Sequence, residues 1–185
     1  MPRLYLALVH HPVINKTGDV IASAVTNLDV HDLARIGRTF DVRRVYVVTP
    51  LCDQQELVHR ILDHWCRGFG ADHNPHRSQA MDRIRVCDAL DGAVGAIRRR
   101  EARPPRVVAT CARSGPRRIG FAALRRWIAD DDPCLLVFGT AWGLADTVLE
   151  RADAVLEPIP GAGGYNHLPV RAAAAIILDR LAGRE

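Results

Sequence analysis

Three stretches in the second half of the chain carry glycines where they could expose bare main chain to a ligand. Gly139-Thr140-Ala141-Trp142-Gly143-Leu144 follows the apolar run CLLVF (Cys134–Phe138). Gly161, Gly163 and Gly164 crowd together after Pro158 and Pro160, just before Asn166-His167. The third stretch, Thr110–Gly120 (TCARSGPRRIG), mixes glycine with arginine. Glycine permits positive φ and lets a ligand approach the backbone. Such loops suit a flat heterocycle, and they serve equally well as plain tight turns. A different chemistry is grouped at Asn27, Asp29, Asp32 and Arg35. A carboxylate there could take a proton from a ring nitrogen or a hydroxyl. The arginine could hold a phosphate or stabilise charge developing on a base. Asp29 reads equally as a helix N-cap, and Arg35 as an ion-pair partner of Asp32 one turn earlier.

Several other chemistries lose support. No GxGxxG follows the first apolar run and no GxxxxGK[ST] occurs, which argues against a dinucleotide fold and a P-loop. The 5 cysteines form no CxxC pair, so neither a zinc ribbon nor a disulfide framework is indicated. Reduced thiols in a cytoplasmic protein are the simplest reading. His59 and His64 miss the i, i+4 spacing of a one-faced helical pair, and no metal site is expected. No run approaches the roughly 18 apolar residues of a membrane span. The N-terminus reads as a strand rather than a signal peptide. The net charge of +4 permits a phosphate-rich partner. All 25 cationic residues except Lys16 are arginine, which fits phosphate recognition and also follows from a GC-rich genome.

Apolar runs alternate with amphipathic stretches. Strands are expected at Leu4–Val9, Val45–Thr49, Ile84–Cys87, Arg106–Thr110, Cys134–Phe138 and Ala154–Leu156. Helices are expected at Asp29–Phe40, Gln54–Arg67, Leu90–Arg100, from Phe121 to Ile128, and at Val170–Leu181. Arg67–Arg77 reads as a loop. This alternation predicts one α/β domain over residues 1–185, a mostly parallel sheet with helices on both faces. Ligands bind such sheets at the carboxyl ends of the strands, where all three unusual loops fall. Alanines 172–175 make one face of the last helix small, for ordinary packing, a subunit contact or chain passing tightly beneath it.

These loops, in this order, resemble the SPOUT class of S-adenosylmethionine-dependent RNA methyltransferases. VFGTAWGL (Val137–Leu144) looks like the second motif of that class and IPGAGGYNHLPVRAAAAIILDRL (Ile159–Leu181) like its third. Asn166-His167 followed by Val170-Arg171 is similar to the pattern of the tRNA guanine-N1 branch. TNLDVHDLARIGRTFDVRRVYVVTP (Thr26–Pro50) resembles the first motif, with Asp41 where many relatives have glycine.

The resemblance implies a deep trefoil knot in the last third of the chain, and a homodimer sharing its active site. It implies S-adenosylmethionine held mainly by main-chain groups. The cofactor residues would be Thr110, Cys111 and Ala112, then Phe138, Gly139, Thr140, Trp142, Gly143 and Leu144, and finally Ile159, Pro160, Gly161, Asn166, His167, Leu168 and Val170. Asp29, Asp32 and Arg35 would be catalytic, and Asn27, Arg113, Arg117 and Arg118 would contact RNA, either tRNA or rRNA. Guanine N1 is one candidate acceptor. The alternatives are a non-catalytic knotted module that binds cofactor or RNA, and a nucleotide- or flavin-binding α/β protein without a knot.

Overall fold

Leu4–Val9 is buried at every position, which a strand achieves only when layers cover both of its faces. In the computed structural model, which describes residues 3–182 apart from Ser114 and Pro116, this segment is β1 at the heart of a sheet. The other strands are β2 (Val13–Ile14), β3 (Val20–Ile21), β4 (Arg44–Val48), β5 (Ile84–Cys87), β6 (Arg106–Thr110), β7 (Arg118–Ile119), β8 (Cys134–Gly139) and β9 (Ala154–Leu156). Their order is β5-β4-β1-β8-β6-β9-β7, and every pairing in this sheet is parallel. Only β2 and β3 stand apart, as a small antiparallel hairpin.

The helices are α1 (Asn27–Thr39), α2 (Cys52–Cys66), α3 (Phe69–His73), α4 (Pro75–Met81), α5 (Leu90–Glu101), α6 (Phe121–Ala129), α7 (Asp146–Arg151) and α8 (Val170–Ala182). The period-2 alternation of β1 divides them between two layers. Leu4, Leu6 and Leu8 pack with α1, α2, α4, α6 and α8, whereas Tyr5, Ala7 and Val9 pack with α5 and α7.

Four strands carry the expected bounds, and the helices differ at their ends. α1 starts earlier because Thr26 is its N-cap. The Thr26 hydroxyl accepts from Asp29 N (3.1 Å) and donates to Asp29 Oδ2 (2.7 Å). Asp29 therefore sits in the first turn as the acceptor of the capping hydroxyl rather than capping the helix itself. Arg67–Arg77, expected as a loop, instead contains α3 and the start of α4. The Asn74 side chain accepts from Arg77 N (3.0 Å), and Pro75 supplies the fixed φ of the first helical turn. Asp41, in the place where relatives carry glycine, has φ +53°, and Arg83 Nη2 holds its carboxylate at 3.1 Å.

At the amino edge of the sheet Glu101 has a side chain only 4% exposed. It accepts from the Tyr5 hydroxyl and from Arg43 Nη1 (2.7 Å), with Arg3 at 3.5 Å. Burial pushes its carboxyl up, but the Tyr5 hydrogen bond and the Arg43 charge outweigh that and leave it below the usual range. A depressed carboxyl stabilises the fold above its unfolded pKa and loses that stabilisation as pH falls through its folded pKa. Glu101→Gln is therefore expected to cost about 2 kcal/mol near neutrality, or ~4–8 °C in Tm. The gap to wild type should shrink as pH falls below the ordinary carboxylate range and through the depressed folded pKa of Glu101, where the wild-type carboxyl becomes neutral. Thermal melts across pH check this, and a gap independent of pH contradicts it.

Candidate functional site

The strand order reverses at β1, which has β4 on one side and β8 on the other. Crevices of open α/β sheets form outside the carboxyl ends of the strands at such a point. A cavity of about 720 Å³ lies there, within the range of small-molecule sites. The loops after β6, β8 and β9 form its walls, together with the chain after β3, the start of α1 and one face of α8.

The β8 loop is built by close approach. Gly139 ends the strand, and a Cβ there would sit 2.5 Å from Leu144 N and 2.9 Å from Gly143 C. The chain folds back through Ala141 (φ +51°) and Gly143 (φ +112°), with Gly143 N bonded to Thr140 O at 2.9 Å. Phe138, Gly139, Thr140, Ala141, Trp142 and Gly143 consequently face the cavity. Leu144 is buried behind them, outside the lining. The β2–β3 hairpin grips the outside of this loop through Ile14 N to Gly143 O (3.0 Å) and Trp142 N to Ile14 O (3.1 Å).

On the β6 loop, Thr110, Cys111, Ala112 and Arg113 line the cavity, and the Thr110 hydroxyl donates to Val137 O (3.0 Å). Arg113 reaches Asp146 at 3.6 Å. Arg117 and Arg118, expected to meet RNA, turn their guanidiniums onto main chain instead. Arg117 donates to Glu150 O (2.8 Å) and Ala152 O (2.5 Å), and Arg118 to Leu156 O (2.9 Å) and Arg113 O. Both arginines brace this loop against the β9 side of the sheet. Ser114 and Pro116 lie outside the described residues.

After β9, Ile159, Asn166, His167, Leu168 and Val170 line the cavity, but Pro160 and Gly161 do not. Those two lead into the turn Ala162–Tyr165, which Tyr165 N closes onto Ala162 O (3.1 Å). Asn166 Nδ2 donates to Ala112 O (3.0 Å) and so ties the third loop to the first. His167 is exposed and meets the Tyr165 ring edge-on at 5.4 Å.

On the acid–base side, Asp29 lines the cavity, whereas Asn27, Asp32 and Arg35 stand outside it. Arg35 is 62% exposed and only loosely paired with Asp32, at 4.0 Å. Arg171, which no spacing argument singled out, spans both carboxylates, with Nη1 3.4 Å from Asp29 Oδ1 and Nε 3.3 Å from Asp32 Oδ2. The signal available was its place in the first turn of α8, immediately after Val170. Ser23, Ala24 and Glu157 also line the cavity without forewarning. The Ser23 hydroxyl joins Thr140 Oγ1 (2.5 Å) to His10 Nδ1 (3.0 Å). His10 is fully buried, and burial holds its pKa below the ordinary value against the pull of Asp29 and the Ala24 backbone. Glu157 accepts from Phe121 N (3.0 Å) and holds the start of α6 beside the cavity. Among the described residues no cluster of His, Cys, Asp and Glu is placed to hold a metal ion. No described helix is long and apolar enough to cross a membrane.

A family model described as SAM-dependent RNA methyltransferase matches residues 3–183. Two proteins named tRNA (guanine-N(1)-)-methyltransferase, from Oleidesulfovibrio alaskensis and Nitratidesulfovibrio vulgaris, are each 47% identical over 180 residues. The match takes in 97% of this chain but 42% of either relative, so the chain spans about two fifths of their length. An "uncharacterized protein" of Aquifex aeolicus is 37% identical over 98% of this chain and 89% of its own length. Solved structures share the fold. A TrmH/SpoU tRNA modifying enzyme from A. aeolicus has a TM-score of 0.59 at 18% identity, over 98% of this chain and 75% of its own. The SpoU methyltransferase AviRb from Streptomyces viridochromogenes, solved with AdoMet, has a TM-score of 0.60 at 17% identity, over 98% and 58%.

Proposed function

The chain belongs to the SAM-dependent RNA methyltransferase family whose model spans residues 3–183, and from that premise we propose that the cavity at the β1–β8 switch point holds S-adenosylmethionine while the chain methylates tRNA. The observation that carries the cofactor site is the tight main-chain turn at Gly139, where a Cβ would run into Leu144 N and Gly143 C and which sets Thr140 and Gly143 on the cavity wall. Thr140 and Gly143, with Cys111 and Ala112 opposite, offer backbone groups to the adenosine, and Phe138, Ile159, Leu168 and Val170 offer apolar surface. Trp142, Asn166 and His167 complete the wall. Leu144 acts from behind by fixing the loop, and Pro160 and Gly161 act by shaping the turn that delivers Asn166.

Bound S-adenosylmethionine supplies an electrophilic methyl group on a sulfonium, which departs as a neutral thioether. The protein's own work is positioning the acceptor. Asp29, at the cavity wall, takes the proton released by the acceptor. Arg171 keeps Asp29 and Asp32 in place. Arg35 lies outside the cavity of its own chain, which supports a reading in which it serves the cavity of a second copy. Leu28, Trp142, Tyr165 and Leu168 are 63, 59, 69 and 44% exposed. Trp142 and Leu168 belong to the cavity wall itself, and such an apolar rim favours a homodimer that shares its sites. Arg113 and Asn27 lie where RNA would enter.

A trefoil knot in the last third of the chain is read from the motifs at Val137–Leu144 and Ile159–Leu181 that resemble the SPOUT class. One sheet covered on both faces supports reading residues 1–185 as one domain. The unpaired cysteines fit the cytoplasm. Guanine N1 is taken as the acceptor from the name of the two curated relatives.

Calorimetric titration with S-adenosylmethionine and S-adenosylhomocysteine is expected to give a Kd in the micromolar range or below, and absence of binding overturns the cofactor site. Labelled methyl transfer to tRNA from a strain lacking the gene, followed by nucleoside analysis, is expected to yield 1-methylguanosine. A ribose-methylated product would move the acceptor atom, and binding without transfer to any RNA would leave a non-catalytic module.

A further inference from the structure

Away from the cavity, α2, α3 and α4 carry a group of aromatic and cationic side chains in which Trp65 packs partly on the core and Phe69 stands out from it. Phe69, the first residue of α3, is 74% exposed, and its ring stacks on His73 at 5.3 Å with 19° between planes. Beside it, Trp65 is met edge-on by His64 (5.0 Å) and by His31 of α1 (5.4 Å), and it lies under the Arg77 guanidinium (4.8 Å). The two groups are contiguous. A Cβ on Gly70 would stand 2.7 Å from Trp65 Cε3, so only glycine lets α3 press this closely on the indole.

A path of side chains connects these rings to the cavity. Arg35 lies one helical turn beyond His31 on the same face of α1. Asp32 beside it pairs with Arg171, which reaches Asp29 at the cavity wall. Burial, then the nearby Arg77 charge, holds the His31 pKa low, with Arg35 and His64 adding to this and Asp32 opposing it. Asp63 on this face is taken up by Arg67 at 3.1 Å, while Arg77 lies over Trp65 and Arg35 adds its charge near His31.

We propose that the exposed Phe69–His73 ring pair of α3, backed by Trp65 and Arg77, is a stacking platform for unpaired nucleotides of the RNA substrate, on the side of the molecule where α1 presents His31 and Arg35. It rests on the reading that the substrate is RNA. An exposed ring pair next to an arginine-covered tryptophan matches a strand whose bases present π-faces and whose phosphates carry negative charge. The nearby guanidiniums of Arg77 and Arg35 favour such a polyanion over an apolar protein surface, which would gain nothing from their charge.

The test measures binding of the full chain to a fluorescein-labelled single-stranded oligoribonucleotide and to unmodified tRNA, alongside calorimetry with S-adenosylmethionine. Phe69→Ala is expected to weaken RNA binding about tenfold, and Phe69→Trp to restore it. Neither should alter cofactor affinity. Arg77→Gln is expected to flatten the dependence of log K on log salt by about 0.7. Wild-type RNA affinity in Phe69→Ala overturns the platform alone and leaves the methyltransferase reading standing. A wild type that binds neither RNA overturns both. A change in the sedimentation mass of Phe69→Ala assigns the face to a protein contact and overturns the platform.

Discussion

Gly139→Ala is expected to weaken S-adenosylmethionine binding about a hundredfold. The added methyl has no empty direction to take. It would lie 2.5 Å from Leu144 N and 2.9 Å from both Gly143 C and Leu144 Cγ. Backbone on one side and a buried side chain on the other must therefore give way. Overpacking of this kind costs about 1–3 kcal/mol, and each 1.4 kcal/mol is a factor of ten in affinity. Relief cannot come from the outer side, because the hairpin holds the loop through Ile14 N to Gly143 O and Trp142 N to Ile14 O. The strain instead moves Thr140 and Gly143 into the cavity. The same cost appears in stability as ~2–4 °C of Tm per kcal/mol for a chain of this size, so the variant should remain folded at room temperature. Calorimetry on folded protein separates the two effects, and an unchanged Kd would show that the β8 loop does not hold the cofactor.

The residues of that cradle were legible in the sequence because their signal is local. CLLVF is apolar at every position, as a strand buried on both faces must be, and a glycine at its end marks a close approach. β1 and β9 were legible for the same reason, and β5 and β6 from short β-branched runs set between helical stretches. The hairpin behind the cradle was not, because β2 and β3 have two residues each and no alternation can be read from two residues. α3 and α4 were hidden by composition. Gly, Asn, Pro and His suggest a loop, yet Asn74-Pro75 is also a cap followed by a first-turn proline, the one local sign that a helix begins there. The distribution of arginines was beyond sequence altogether. Arg117 and Arg118 end on carbonyls of residues more than thirty positions away, and Arg171 reaches Asp29 across 142 positions. A basic loop and a basic brace share one composition, and only the fold separates them.

Arg35→Ala is expected to reduce methyl transfer about a hundredfold while leaving S-adenosylmethionine affinity unchanged. Three arginines lie near the acid–base side, and their surroundings divide the work. Arg171 is committed to Asp29 and Asp32, and Arg113 leans toward Asp146. Arg35 alone of the three projects from a helix at 62% exposure with a single carboxylate at 4.0 Å. An exposed pair of that length contributes little to stability, so the substitution should leave Tm nearly unchanged. The same exposure leaves its planar fork free for a phosphate or for charge developing on the acceptor, interactions whose removal costs about 10²–10³ in rate. Lysine keeps the charge but loses the fork, so Arg35→Lys should recover only part of the loss. Single-turnover transfer to tRNA, measured beside cofactor titration and thermal melts, reads all three quantities. Equal transfer by Arg35→Ala and wild type would remove Arg35 from the substrate side and leave Asp29, held by Arg171, as the polar centre of the site.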